Sequence, residues 1–379
     1  MKFINILLLF LSVSCNQVKE SDPTPVATDT PTQTRSFYMG FTPWLYAATV
    51  QAETDVYDLL NSQGDLVAHH FQQGIPFNDA STFPNFSNYE TNIQNEVNNR
   101  INKTNNDKII YLAVDSLNTA RNDLTDFWGT SANMSRPSPW DTRSFDDSNV
   151  ITSYTNFALE LIARFNPEYF NYAPEISDLM VNDATKFNAF KTFAQQVYTN
   201  IKAYYPNLKL MVSIALKAPG STKMITATTG FADIKDYVDV VGISTYGYAF
   251  YGHANAGNPA NLPSNWLSQI QTIAPNKPYA IVETGWIAQN LSVPAYSLSV
   301  TSNESYQDAY LTKMFKEANS MNMEAIIWFS SHDYDTLWTD TLGSDNLSKI
   351  WKDTGLKDES LVDRSGYSTW KSWFDRTKN

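Results

Sequence analysis

Short apolar runs rich in β-branched and aromatic residues alternate with stretches whose apolar positions recur at helical spacing. The runs are Phe37–Pro43, Asp65–Phe71, Lys108–Val114, Tyr169–Ala173, Leu208–Ala215, Val238–Ser244, Pro278–Val282 and Glu324–Phe329. Between the first two, Glu53–Gln63 carries Val56, Leu59 and Leu60 on one face and closes before Gly64. Ile151–Arg164 and Ala184–Tyr205 read as two longer helices. Near-continuous apolar strands separated by helices predict a parallel sheet covered on both faces. Eight such units predict an α/β fold, a single (β/α)8 TIM barrel over residues 36–379. A doubly wound open sheet is the competitor. It would carry a glycine-rich first βα turn, and Thr42-Pro43-Trp44-Leu45 is not one.

The first residues follow a different pattern. Lys2 precedes an apolar run, Ile4 to Val13, that is far shorter than the roughly 20 residues needed to span a bilayer. It fits the apolar region of a signal peptide over residues 1–14. Small residues lead into Cys15, the only cysteine, and the segment resembles a bacterial lipobox. That resemblance implies lipidation of Cys15 and a membrane contact through this anchor alone. Asn16 follows, so the aspartate that retains such proteins at the inner membrane is absent, and an exported outer-membrane lipoprotein is expected. Residues 15–35, rich in Pro and Thr, lack the large apolar side chains that offset the entropy of ordering and are expected to form a tether.

Composition narrows the function. A net charge of −12 leaves no basic patch for a phosphate backbone, which argues against nucleic acid. One cysteine permits no internal disulfide, so stability must come from packing. Aromatic residues make up 14% of the chain, enough to furnish both a core and the stacking surfaces of a sugar-binding cleft. A monomer is expected.

In a barrel of this kind the active site lies at the C-terminal ends of the strands. The residues that end or follow the eight runs are Trp44, His69 and His70, Asp115, Asn171 and Glu175, Lys217, Ser244 and Tyr246, Glu283 and Trp286, and Trp328 and His332. Glu175 and Glu283 follow the fourth and seventh runs, which face each other across a barrel mouth. Glycoside hydrolysis needs two such carboxyls. One protonates the leaving oxygen; the other attacks the anomeric carbon or activates water. A single strand-end glutamate is more often structural; the pair, with this aromatic surround, points to catalysis. No two of the four histidines have the spacing of a helix-borne metal motif, so neither metal nor cofactor is expected. Alternation along a strand lets only one of His69 and His70 face the mouth.

The order of these features resembles glycoside hydrolase clan A, whose acid/base glutamate follows strand four and whose nucleophile follows strand seven. Val282-Glu283-Thr284-Gly285-Trp286 is similar to the nucleophile strand of family 53, the endo-β-1,4-galactanases, and of family 17. Gly242-Ile243-Ser244-Thr245-Tyr246 resembles the strand-six segment whose tyrosine bonds the nucleophile, and Trp328 the tryptophan that floors the cleaved sugar's subsite. The resemblance implies a retaining hydrolase of a β-linked polysaccharide, galactan first and β-glucan or β-mannan next. Glu175 would be the protonated acid/base and Glu283 the ionised nucleophile. Trp44, His69, His70, Asp115, Asn171, Tyr246, Trp286, Trp328 and His332 would contact substrate.

One position departs from the clan. Pro174 stands where an asparagine normally contacts the sugar 2-hydroxyl. Either Asn171, His69 or His70 takes over that contact, or Glu175 is not the acid/base and Glu168 or Asp178 replaces it. Pro174 therefore sustains a second reading, a non-catalytic glycan-binding lipoprotein on a barrel scaffold. A metal-dependent hydrolase is the third.

Overall fold

Residues on each strand sort by parity. Leu66 and Ala68 pack inward with Tyr111, Ala113, Tyr169 and Met211, while Val67 and Phe71 join the outer layer beneath the helices. The computed structural model describes residues 33–82 and 85–379. The expected leader, Cys15 and most of the tether lie outside the described residues. Eight strands close into a parallel barrel: β1 (Tyr38–Phe41), β2 (Leu66–Phe71), β3 (Ile109–Val114), β4 (Tyr169–Ala173), β5 (Lys209–Ala215), β6 (Val240–Thr245), β7 (Tyr279–Thr284) and β8 (Ala325–Trp328). β8 pairs with β1 and completes the ring. The chain is a TIM barrel.

The outer layer is formed by α1 (Val50–Gln63), α2 (Thr91–Lys103), α3 (Ser148–Phe165), α4 (Ala184–Tyr204), α5 (Thr222–Ile234), α6 (Glu304–Ser320) and α7 (Ser365–Phe374). α1 and α3 begin three residues before their apolar pattern does. The reason is capping: Thr49 and Asp147 accept the backbone N–H of Ala52 and Asn149 and so set each start upstream. Between β6 and β7 the connection holds the short helices Gly247–Phe250 and Ile270–Ile273 and the 3-10 turn Pro259–Asn261. Buried Trp266, Leu267 and Ile270 cover the barrel there. Among the described residues, no helix is long and apolar enough to cross a membrane.

The two ends of the described chain meet. Thr34–Arg35 pairs in parallel with Thr377–Lys378, and the buried Arg35 guanidinium donates to both Asp65 oxygens at 2.7 and 3.0 Å. At the same end Lys209 lies 3.1 Å from Glu168 and 2.9 Å from Glu324, with Tyr169 also bonded to Glu324. Glu168 thus belongs to the N-terminal floor, remote from the mouth.

One irregularity aims the site. β7 carries an extra residue relative to both neighbours: Ile243 and Ser244 of β6 face Ile281 and Glu283, while Ile326 and Trp328 of β8 face Ile281 and Thr284. Ala280 and Val282 point inward, so strict alternation would turn Glu283 out toward the helices. The bulge makes Glu283 a second consecutive inward residue, and Thr284 resumes the outward face, its hydroxyl 2.7 Å from Tyr310.

Candidate active site

Glu283 therefore reaches the barrel mouth, where the Tyr246 hydroxyl donates to its Oε1 at 2.7 Å. Glu175 arrives from the end of β4, whose register against β5 also breaks, between Asn171 and Ala173. Its backbone is left-handed, with φ 55° and ψ 37°, a conformation that costs a non-glycine residue about 1–2 kcal/mol. Three contacts hold it there. The Glu175 N–H donates to Ser213 Oγ at 2.8 Å, Ser244 Oγ donates to Oε1 at 2.8 Å, and Arg121 Nε donates to Oε2 at 3.3 Å. A quarter of the Glu175 side chain stays open to solvent.

The two carboxyls share one electrostatic environment. Burial, then the charge on Glu175, pushes Glu283 up to about 7. Burial pushes Glu175 the same way, but Arg121 and then Lys217 outweigh it and hold that carboxyl below its ordinary range. By these directions the proton favours Glu283 over Glu175, opposite to the placement the sequence resemblance implies for the start of a retaining reaction. The physical cause is Arg121, in the loop after β3.

Behind Arg121 stands a buried relay. Arg121 Nη1 donates to Asp115 Oδ2 at 2.7 Å, and His70 Nε2 meets Asp115 Oδ1 at 2.7 Å. Gln72 Nε2 lies 2.9 Å from His70 Nδ1. With Gln72 donating, His70 Nε2 carries the proton it gives to Asp115. Arg121 and His70 draw the Asp115 carboxyl down against the cost of its burial.

His70, Asp115, Tyr246 and the two glutamates converge at the mouth. His69 does not: it faces outward, its Nε2 3.0 Å from Thr104 and its ring 4.9 Å from Phe165. Only one of the adjacent histidines points inward, and it is His70. Asn171 is fully buried, donating to Tyr111 and accepting from the N–H of Ala173, so it lies beneath the site with no surface for a sugar. Asp178, the other substitute acid, pairs with Lys217 at 3.5 Å.

Three aromatic or histidine candidates also turn away. Trp286 is fully buried, stacked on Tyr310 at 4.5 Å with its indole bonded to Gly257 O. Trp328 shares the outward parity of Ile326 and donates to Thr354 O at 2.9 Å. Its neighbour Phe329 takes the inward position, edge-on to Trp44 at 5.3 Å, and is only partly buried. His332 is buried beside the Tyr46 ring and lines a flank cleft with Asp55, Asp58 and Lys357.

Other residues supply the aromatic wall. Trp351 lies 5.7 Å from Tyr246 and 6.2 Å from Phe250, and Lys217 Nζ sits 4.8 Å over the Phe250 ring. The indole nitrogens of Trp44 and Trp351 are buried and have no hydrogen-bond partner among the described residues. Both are donors without an acceptor among those residues. Trp351 comes from a 3-10 turn deep in the chain's last loop, where no strand-end pattern points to it.

Fold and site define a TIM barrel with an aromatic-walled carboxylate pair at its mouth. No protein-family model matches the chain, and no curated protein is similar to it. Solved structures share the fold. An exo-β-1,4-mannosidase from Opitutaceae bacterium strain TAV5 superposes with a TM-score of 0.62 at 13% identity, over 89% of this chain and 59% of its own. A β-D-glucuronidase from Dictyoglomus thermophilum gives 0.51 at 12% identity, over 89% and 50%. The Ruminococcus gnavus β-glucuronidase gives 0.52 at 11%, over 89% and 51%. The chain spans between half and three-fifths of the length of these proteins.

Proposed function

We propose that the protein is a retaining glycoside hydrolase of a β-linked polysaccharide, with Glu283 as nucleophile and Glu175 as acid/base. The observation that carries this reading is the carboxyl pair itself. Two glutamates meet at the mouth around Ser244 and Tyr246, coupled so that burial and mutual repulsion resist ionising both at once. One proton for two carboxyls is the stoichiometry that double displacement requires.

In the first step Glu175 gives its proton to the glycosidic oxygen while Glu283 attacks the anomeric carbon, and the leaving sugar departs as an alcohol. In the second, Glu175 takes a proton from water as that water displaces Glu283. Tyr246 steadies the ionised nucleophile. For the first step the proton must reside on Glu175, so substrate binding has to reverse the preference for Glu283.

The β-mannosidase and β-glucuronidase names of the fold neighbours support a β-glycoside as substrate. Galactan remains the first candidate through the Val282–Trp286 resemblance, and β-mannan and β-glucan are the alternatives. We place the protein at the cell surface or periplasmic face of the outer membrane, anchored through Cys15; the substitution Cys15→Ser is expected to move it from the membrane to the soluble fraction.

The test is a polysaccharide panel assayed with the full chain beside Glu283→Ala and Glu175→Ala. Turnover by the wild type that both substitutions suppress supports the reading. Turnover surviving Glu283→Ala contradicts it, and binding without turnover on every substrate favours the non-catalytic alternative that Pro174 raised.

A further inference from the structure

Ten non-glycine residues have a positive φ among the described residues, and most are Asn or Ser, whose short polar side chains tolerate it. The exceptions are Arg121 at 52°, Glu175 at 55° and Leu361 at 64°. Two of these three touch each other at the barrel mouth, from the ends of adjacent strands. Such backbone persists only where the surroundings impose it, and its coincidence at both ends of one ion pair points to that pair as a built feature.

The surroundings impose it on both sides. The Arg121 N–H donates to Asn118 O at 2.9 Å, and Asn182 Nδ2 bonds the carbonyls of Ala120 and Arg121 at 3.3 and 3.2 Å. The guanidinium, 12% exposed, is divided unequally. Its Nη1 has a short contact to Asp115, 2.7 Å, and its Nε a longer one to Glu175, 3.3 Å. The firm end is Asp115, itself braced by His70; the loose end is the proposed acid/base.

We propose that Arg121, anchored on Asp115, is a positioning residue that clamps Glu175 Oε2 and must yield that oxygen before Glu175 can protonate a leaving group. The inference rests on Glu175 as the acid/base. A carboxyl oxygen that accepts from a guanidinium is held ionised, and Ser244 already donates to the other oxygen. A proton on Oε2 would face the guanidinium, so the contact disfavours the protonated carboxyl that leaving-group departure needs. A sugar seated at the mouth brings hydroxyls that can take over the Nε contact, while the Asp115 end holds the guanidinium in place. The clamp would keep the acid inactive until the cleft is filled.

The experiment uses the full chain labelled with carboxyl-13C glutamate, with the two signals assigned by loss in Glu175→Gln and Glu283→Gln. In the wild type the Glu175 signal should titrate below that of Glu283. Arg121→Gln should raise the Glu175 midpoint by about one pH unit or more. Asp115→Asn should lower it, because the whole guanidinium then turns to Glu175. Opposite shifts in the two variants are expected; a Glu175 midpoint that stays put in Arg121→Gln overturns the clamp. Should Arg121→Gln fail to fold, the Asp115→Asn shift decides alone, a downward move supporting the clamp and no move overturning it.

Where the wild type turns over a glycoside, Arg121→Gln should also move the alkaline limb of kcat/KM upward. An unchanged profile scaled down uniformly marks a merely structural arginine. Expected titration shifts with no wild-type turnover would leave the Arg121–Glu175 contact standing but remove the hydrolase reading, and with it the clamp's role in acid catalysis. Turnover with no titration shift would do the reverse.

Discussion

The Ser244 hydroxyl donates to Glu175 at 2.8 Å, although the two residues belong to strand ends on different sides of the mouth. Ser244 is also the cross-strand neighbour of Glu283 through the β7 bulge. Ser244 thus contacts one carboxyl by its side chain and neighbours the other along the sheet, and the charge of Glu175 acts on Glu283.

Removing either carboxyl should affect catalysis unequally. Glu283→Gln leaves the geometry but no nucleophile, and a fall in kcat of at least about 10^4-fold is expected on any substrate. Glu175→Ala should cost about 10^2–10^4-fold on a substrate with a poor leaving group and much less on an activated aryl glycoside. Azide should restore turnover to Glu175→Ala on the activated substrate, which steady-state kinetics can follow.

The raised Glu283 carboxyl has a stability consequence. Its folded-state value, about 7, lies above its ordinary 4.5, so the folded state binds more protons than the unfolded chain between these pH values. Its contribution is favourable in acid and is lost as pH rises through 7. Glu283→Gln should match the wild type near pH 4 and exceed it at pH 8 by on the order of 1–3 kcal/mol, read from denaturant unfolding at the two pH values.

Two histidines act on the opposite side. Burial holds His69 well below 6.5, and burial followed by Lys357 brings His332 down to about 4. Each must remain neutral in the fold while the unfolded chain takes up protons. Their contribution is full above pH 6.5 and is lost as pH falls toward 4. Stability should therefore peak near pH 6–7, and His332→Gln should flatten the acid side of a Tm-versus-pH curve.

Inward and outward aromatics should separate in mutagenesis. Trp328→Phe removes a buried indole and its bond to Thr354, so a loss of about 1–3 kcal/mol in stability with unchanged KM is expected. Trp351→Ala removes a partly exposed ring with an unpartnered donor; KM should rise about tenfold, the effect of about 1.4 kcal/mol, with Tm nearly unchanged. Phe329→Ala should behave as Trp351→Ala does. Unfolding curves and Michaelis parameters on the same variants distinguish the two groups.

Much of this molecule is legible in the sequence. The eight strands fall within a few residues of the apolar runs, because a barrel strand buried on both faces has no polar interruption to blur its ends. Glu175, Glu283, His70, Asp115 and Tyr246 meet at the mouth where the strand ends bring them. Trp286 and Trp328 stand at strand ends yet face away from the mouth, because a strand-end position does not state its parity and the β7 bulge shifts which residue faces inward. Arg121 and Trp351 sit in long loops, where the sequence carries no periodicity and only tertiary packing brings them to the site. The protonation of the pair was equally hidden, since it depends on a guanidinium 54 positions from Glu175 in the chain.

The central claim is that Glu283 is the nucleophile. The most direct test incubates the full chain with 2-deoxy-2-fluoro-β-glycosides of mannose, glucose and galactose, followed by digestion and peptide mass spectrometry. One glycosyl adduct is expected, on the peptide holding Glu283, with parallel loss of activity. An adduct on Glu175 or any other residue, or steady turnover of the natural substrate with no adduct from the matching sugar, would contradict it.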